Sequence, residues 1–131
     1  EFFSSQRGYT CCRVCILGTA YPDKEMQLLL QGRLASERTQ YLHGSPTNAQ
    51  DLHRAQVHSA VAIFIMTDKA TPDEQVKHVD ALNILTTISM RQFNDTVPIY
   101  VQALSSHASS VFYDMGATAV VCVNELRMQL L

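Results

Sequence analysis

Cys12 and Cys15 stand as a C-x-x-C, the spacing of a redox pair or of half a zinc site. Either chemistry needs more than spacing. A redox pair sits at the mouth of a helix, whose positive end favours the thiolate, and a structural zinc needs four ligands. The neighbours Arg13, Val14, Ile16 and Leu17 read as a strand, where successive side chains alternate. Cys12 and Cys15 then face opposite ways, Cys11 and Cys15 share a face, and only Cys122 remains elsewhere in the chain. Buried strand cysteines in a reducing compartment are the expectation.

The histidines (43, 53, 58, 78 and 107) include no pair at i, i+4, the spacing that puts two imidazoles on one helical face. His53 and His58, five apart, are expected to point apart. Asp73, Glu74 and Asp80 read as a solvated helix face rather than a hard-cation site. Hydrolytic chemistry fares no better: no G-x-S-x-G elbow occurs, and Gly44-Ser45 is followed by Pro46 where an elbow's helix would begin.

Nucleotide binding is the remaining candidate. A dinucleotide fold carries G-x-G-x-x-G after its first strand and an acid at the tip of its second. The glycines at 8, 18, 32, 44 and 116 never take that spacing, and the tip Gly18-Thr19-Ala20 holds no carboxylate. No cofactor is expected.

The elements that would position any such residues are nevertheless those of a nucleotide fold. Cys12–Leu17 reads as a strand stopped by Gly18. TAYPD opens a helix with Pro22 at its first position and Met26, Leu29, Leu30 and Leu34 as its stripe. Thr39–Leu42 is a second strand, and Asn48 caps a helix that carries Leu52, Ala55, Gln56 and Ala60. The apolar run Val61–Met66 suits a sheet centre, buried on both faces. A long helix follows from about Asp73 to Phe93, apolar at Val76, Val79, Leu82, Leu85 and Ile88, with Ala81 and Ile84 alongside. Val97–Leu104 is a fourth strand, with Pro98 near its start. Ser106–Met115 is a short helix ended by Gly116. Ala119–Val123 is a fifth strand, and Asn124 opens a last helix over 124–131. Strands and helices alternating at this spacing predict one α/β domain over 1–131, a Rossmann-like doubly wound parallel sheet.

Composition agrees with one globular domain: 131 residues, 47% hydrophobic and 17% charged. With 10 basic against 12 acidic residues and a formal charge of -2, no nucleic-acid footprint is expected. Ala60–Met66 is far shorter than the roughly 20 apolar residues of a membrane span. EFFSSQRGYT lacks the basic start and apolar core of a signal peptide, so a piece facing the cytosol is expected.

The stretch YLHGSPTNAQDLHRAQVHSAVAIFIMTD, residues 41–68, resembles the middle of an RCK domain, the regulator-of-potassium-conductance module. VDALNILTTISMRQF, VPIYVQAL and ATAVVCVNELRMQLL follow in the family's order, so the likeness runs from about Arg13 to Leu131. It is to the first RCK domain of the Slo family of large-conductance potassium channels. The resemblance implies a cytoplasmic gating-ring domain, not an enzyme, in a homotetrameric channel. Its partners would be other RCK domains and a pore module in the same polypeptide, with sodium or calcium as regulatory ion. The Gly44-Ser45 turn would be a nucleotide-type turn kept for packing. The long helix would be the assembly helix, with Val79, Leu82, Leu85 and Ile88 at the interface. The family's first strand, central in its sheet, would lie upstream of Glu1, leaving two inner edges unpaired.

Departures from the family go with these implications. Where the calcium-activated branch has an acidic loop, this chain has SSQRGYT, and Arg13 and Gln40 stand where that branch has magnesium-site acids. YLHGS and PIYVQAL look closer to the sodium-activated branch, and the metal ligands stay unassigned. Two other classes remain open: a soluble nucleotide-binding subunit of a potassium transporter, and a fragment of a Rossmann oxidoreductase.

Overall fold

The computed structural model describes residues 13–32 and 37–123. They form two compact units, which divide between Pro46 and Thr47. The expected helix over 124–131, Leu34 of the first helical stripe, Cys11, Cys12 and the SSQRGYT loop lie outside the described residues.

The first unit is a strand–helix–strand. Strand β1 (Val14–Gly18) pairs in parallel with β2 (Thr39–His43), Val14 opposite Thr39 and Gly18 opposite His43. Helix α1 (Lys24–Gln31) joins them. It starts later than the position of Pro22 suggests, because Asp23 is the cap: its carboxylate accepts from the Met26 amide at 2.8 Å. Of its described stripe Met26 and Leu30 are half-buried and Leu29 is exposed, as is neighbouring Leu28. Cys15 also stands exposed on β1, contrary to the expected core position. The helix and both strands of this unit hold no fully buried residue.

The second unit holds the core. Helix α2 (Ala49–Arg54) is capped by Asn48, whose side-chain oxygen accepts from the Gln50 and Asp51 amides at 2.9 and 3.2 Å. It is shorter than expected. Gln56 takes a left-handed conformation (φ 59°), so the chain turns into a 3-10 turn at Val57–Ser59 before the next strand.

Strands β3 (Ile63–Ile65), β4 (Ile99–Ala103) and β5 (Ala119–Cys122) lie parallel in that order. Helix α3 (Val76–Phe93), entered by a 3-10 turn at Asp73–Gln75, connects the first two; α4 (Ser109–Asp114) connects the second two. Both crossovers step the same way across the sheet, so right-handed connection puts both helices on one face. That face carries Ile63, Ile65, Ile99, Val101, Ala103 and Cys122, all buried, over Leu52, Met90 and Phe112.

The opposite face is different. Phe64 is 57% exposed and stacks on Tyr100, ring centres 5.2 Å apart, with Val121 exposed on the next strand. The expectation of a β3 buried on both faces therefore holds for one face only. Within its sheet β3 is an edge, paired with β4 alone, and β1 in the other unit is paired with β2 alone. Each strand thus keeps one edge without a partner strand among the described residues.

Two devices close this unit. Gly116 sits at φ 114°, its amide bonding to Tyr113 and the Ala117 amide reaching back to Phe112 at 2.9 Å, which ends α4 with its carbonyls satisfied. Arg91 then ties the ends of two helices together. Its guanidinium donates to the Gly116 carbonyl just past α4 at 2.6 Å and to the Val97 carbonyl just before β4 at 2.8 Å.

Candidate functional site

The apolar face of α3 is wider than one contact needs, and burial shows which side its own sheet takes. Thr87 is fully buried and Asp80 only 3% exposed, and they lie on one stripe with the half-buried Asn83. Leu82 and Leu85, at about 100° per residue, project to the far side and are 49% and 53% exposed.

Thr86, Thr87 and Asp80 can go inward here because their groups find partners at short range, whereas the Asn83 side-chain nitrogen is buried with no hydrogen-bond partner among the described residues. The hydroxyls of Thr86 and Thr87 donate back to the Leu82 and Asn83 carbonyls at 3.1 and 2.9 Å. The Asp80 carboxylate accepts from the Leu104 amide at 2.9 Å, the Ser105 amide at 3.0 Å and the Ser105 hydroxyl at 2.9 Å. This corrects the reading of Asp80 as part of a solvated face. It pins α3 to the C-terminal end of β4 through a buried, fully engaged carboxylate. Asp73 and Glu74 do stand exposed.

The four expected interface residues fall in two classes. Leu82 and Leu85 form an exposed apolar pair, while Val79 and Ile88 are half-buried on opposite flanks of the helix. A neighbour docking on α3 would meet the leucines first.

At the end of β1 and β2, where a nucleotide's ribose would be held, the chain bonds to itself. The Tyr41 hydroxyl donates to the Ala20 carbonyl, His43 Nε2 lies 3.0 Å from the Thr19 carbonyl oxygen, and the Gly44 amide donates to the Gly18 carbonyl at 2.9 Å. Tyr21 stacks on the His43 ring, centres 4.1 Å apart. A side chain at Gly18 would collide with Tyr41, so that glycine makes room for the tyrosine. No carboxylate lies at this tip. Arg13 and Gln40 are both exposed, and neither is a usual hard-cation ligand.

His53 and His58, expected to diverge, are brought together instead. Their ring centres are 5.3 Å apart and nearly parallel, because the left-handed turn at Gln56 folds the chain back after α2. No signal short of that backbone conformation distinguishes them in the sequence. Among the described residues no group of three or more His, Cys, Asp or Glu is placed to hold a metal. A hollow of about 210 Å³ between α2 and α3, lined by Leu52, Ser89, Gln92 and Phe93, is smaller than an ordinary ligand pocket. No helix among the described residues is long and apolar enough to cross a membrane.

Comparison with known proteins matches this arrangement. The human SLO3 gating ring superposes with a TM-score of 0.67 and 25% identity over 88% of this chain and 21% of that one. The GsuK channel bound to NAD gives 0.66 at 19% identity, a likeness of fold over 93% of this chain and 18% of that one. In sequence, human potassium channel subfamily T member 1 is 32% identical over 90% of this chain and 9% of its own length. The Drosophila melanogaster calcium-activated potassium channel slowpoke is 24% identical over 98% of this chain and 11% of its own. This chain thus spans about a tenth of those relatives. The profile of the calcium-activated potassium channel slowpoke-like RCK domain matches residues 1–101, through β1, β2, β3, α3 and the start of β4. A Rossmann-like sheet with its strand tip closed on itself, in that sequence context, places the chain in the slowpoke-like RCK domain family.

Proposed function

We propose that this chain is a cytoplasmic regulatory domain of a ligand-activated potassium channel, one RCK domain over 1–131 with no catalytic role. It acts in a gating ring of a homotetramer, where docking between RCK domains passes ligand-driven movement to a pore module in the same polypeptide. Sodium or calcium is the regulatory ion. The family supports this reading, as do the relatives' names, which are those of potassium channels and of a gating ring.

The observation that carries it is the orientation of α3. A helix that buries Asp80 and Thr87 while exposing Leu82 and Leu85 has kept its apolar side for something other than its own sheet. Val79 and Ile88 flank that side and extend the interface. Burying the exposed half of each leucine contributes about 1 kcal/mol per side chain, which decides between association and monomer when repeated around a ring.

Leu82→Asp and Leu85→Asp test the proposal. Both positions are half-exposed, so the variants should fold with an unchanged circular dichroism spectrum. Sedimentation velocity should show the RCK–RCK association weakened by at least tenfold. Folded variants that assemble as the wild type does would remove α3 from the interface.

A further inference from the structure

The His53–His58 pair has no place in the gating proposal. Both side chains are exposed, and neither ring makes a hydrogen bond among the described residues. Their backbones, by contrast, are held. Asn48 caps the start of α2, and the Asn94 side-chain amide donates to the Val57 carbonyl at 2.9 Å and the His58 carbonyl at 3.3 Å. Phe93 packs beside His58 with ring centres 6.2 Å apart. Two free imidazoles are thus presented side by side from a fixed turn.

We propose that His53 and His58 form a bidentate site for a borderline divalent transition ion, of the class of Zn²⁺ and Ni²⁺. Neutral imidazole nitrogen is a preferred ligand of these ions, whereas calcium and magnesium take oxygen. The spacing fits. With a metal–nitrogen bond of about 2.1 Å and roughly 1.1 Å from ring centre to nitrogen, two imidazoles on a tetrahedral ion have centres about 5.2 Å apart. The stacked rings lie 5.3 Å apart, so the backbone holds them within chelating reach though not in the chelating pose. Chelation needs only that the stacked rings turn about their outer torsions until the two lone pairs converge, and exposure leaves them free to do so. Two protein ligands leave the remaining positions to water, so the site binds reversibly and responds to metal concentration. Occupied, it clamps the end of α2 to the turn that leads into β3.

The test is Ni²⁺ and Zn²⁺ titration of the full chain against a competing metal-sensitive dye, on a Cys15→Ser background so that the exposed thiol adds no site. Wild-type histidines should bind one ion that His53→Ala and His58→Ala each weaken by at least tenfold. His78→Ala and His107→Ala should leave that affinity unchanged. Broadening of the His53 and His58 ring resonances by sub-stoichiometric Ni²⁺ should locate the ion. If either single substitution at 53 or 58 leaves binding as it was, or if binding disappears with Cys15 alone, the proposal is wrong.

Discussion

Replacing Asp80 by alanine should be the most damaging single change on α3, although a sequence reading places it on the surface. The cost can be worked from its three partners. Leu104 is 1% exposed, so its amide, deprived of the carboxylate at 2.9 Å, has no water to turn to. An orphaned buried donor costs about 1–3 kcal/mol. Ser105 is half-buried, so its amide and hydroxyl recover part of their loss by hydration. Alanine also removes the burden of keeping a charge out of water, which offsets some of the damage. A net destabilisation of about 3 kcal/mol follows, a shift of roughly 2 M in the urea midpoint for a slope of about 1.5 kcal/mol/M. Asp80→Asn retains one acceptor oxygen for Leu104 but sets an amide N–H₂ against the Ser105 amide, so it should cost about half as much. Urea melts followed by circular dichroism give the totals. Hydrogen exchange at the Leu104 and Ser105 amides gives the local cause, since both should lose protection in Asp80→Ala. An alanine variant within about 0.5 kcal/mol of wild type, or an asparagine variant worse than alanine, would refute the account.

Gly116→Ala should cost about 2 kcal/mol, because φ 114° disfavours a side chain and the new Cβ would lie 2.9 Å from Arg91 Nε, displacing the guanidinium from its carbonyls. Thermal melts of Gly116→Ala alone and combined with Arg91→Ala check this. The double variant should be less destabilised than the sum, since both lose the same bonds. Asn48→Ala should cost about 1 kcal/mol by freeing the Gln50 and Asp51 amides, read from the same melts, while Asn48→Asp should restore most of the loss.

What was legible in the sequence was whatever rests on local chemistry. The order of strands and helices, the cap at Asn48 and the stop at Gly116 follow from side chains acting on their own backbone. The tip of β1 without an acid was legible too, because an absent carboxylate is visible in a string of letters. The misreadings share a different cause. Asp80 was placed on the surface because a carboxylate between Val79 and Ala81 has no visible partner, and that partner is a strand end 24 residues away. For α3, periodicity shows a wide apolar face without saying which side the sheet takes. Burying threonines that bond to their own helix settles the choice. His53 and His58 meet only because Gln56 adopts a left-handed backbone, for which no glycine or asparagine gives a signal. Cys15 was expected in the core on the general tendency of free cysteine, yet the face of β1 that carries it is uncovered in its unit.

The same reasoning applies to the run Ala60–Met66, apolar enough for a strand covered on both faces. In its sheet only Ile63 and Ile65 are covered; Phe64 and Met66 face outward beside Tyr100 and Val121. A strand paired on one side also gains half the ladder bonds of a central one, which accords with a β3 of three residues where the apolar run is longer. Parallel sheets are stable when both faces and both edges of their middle strands are engaged. The composition of this run is therefore that of a strand covered on both faces, of which its sheet covers one. The exposed leucines of α3 tell the same story on the other layer. In both places the side chains left uncovered are large and apolar, and both offer surface that burial would stabilise.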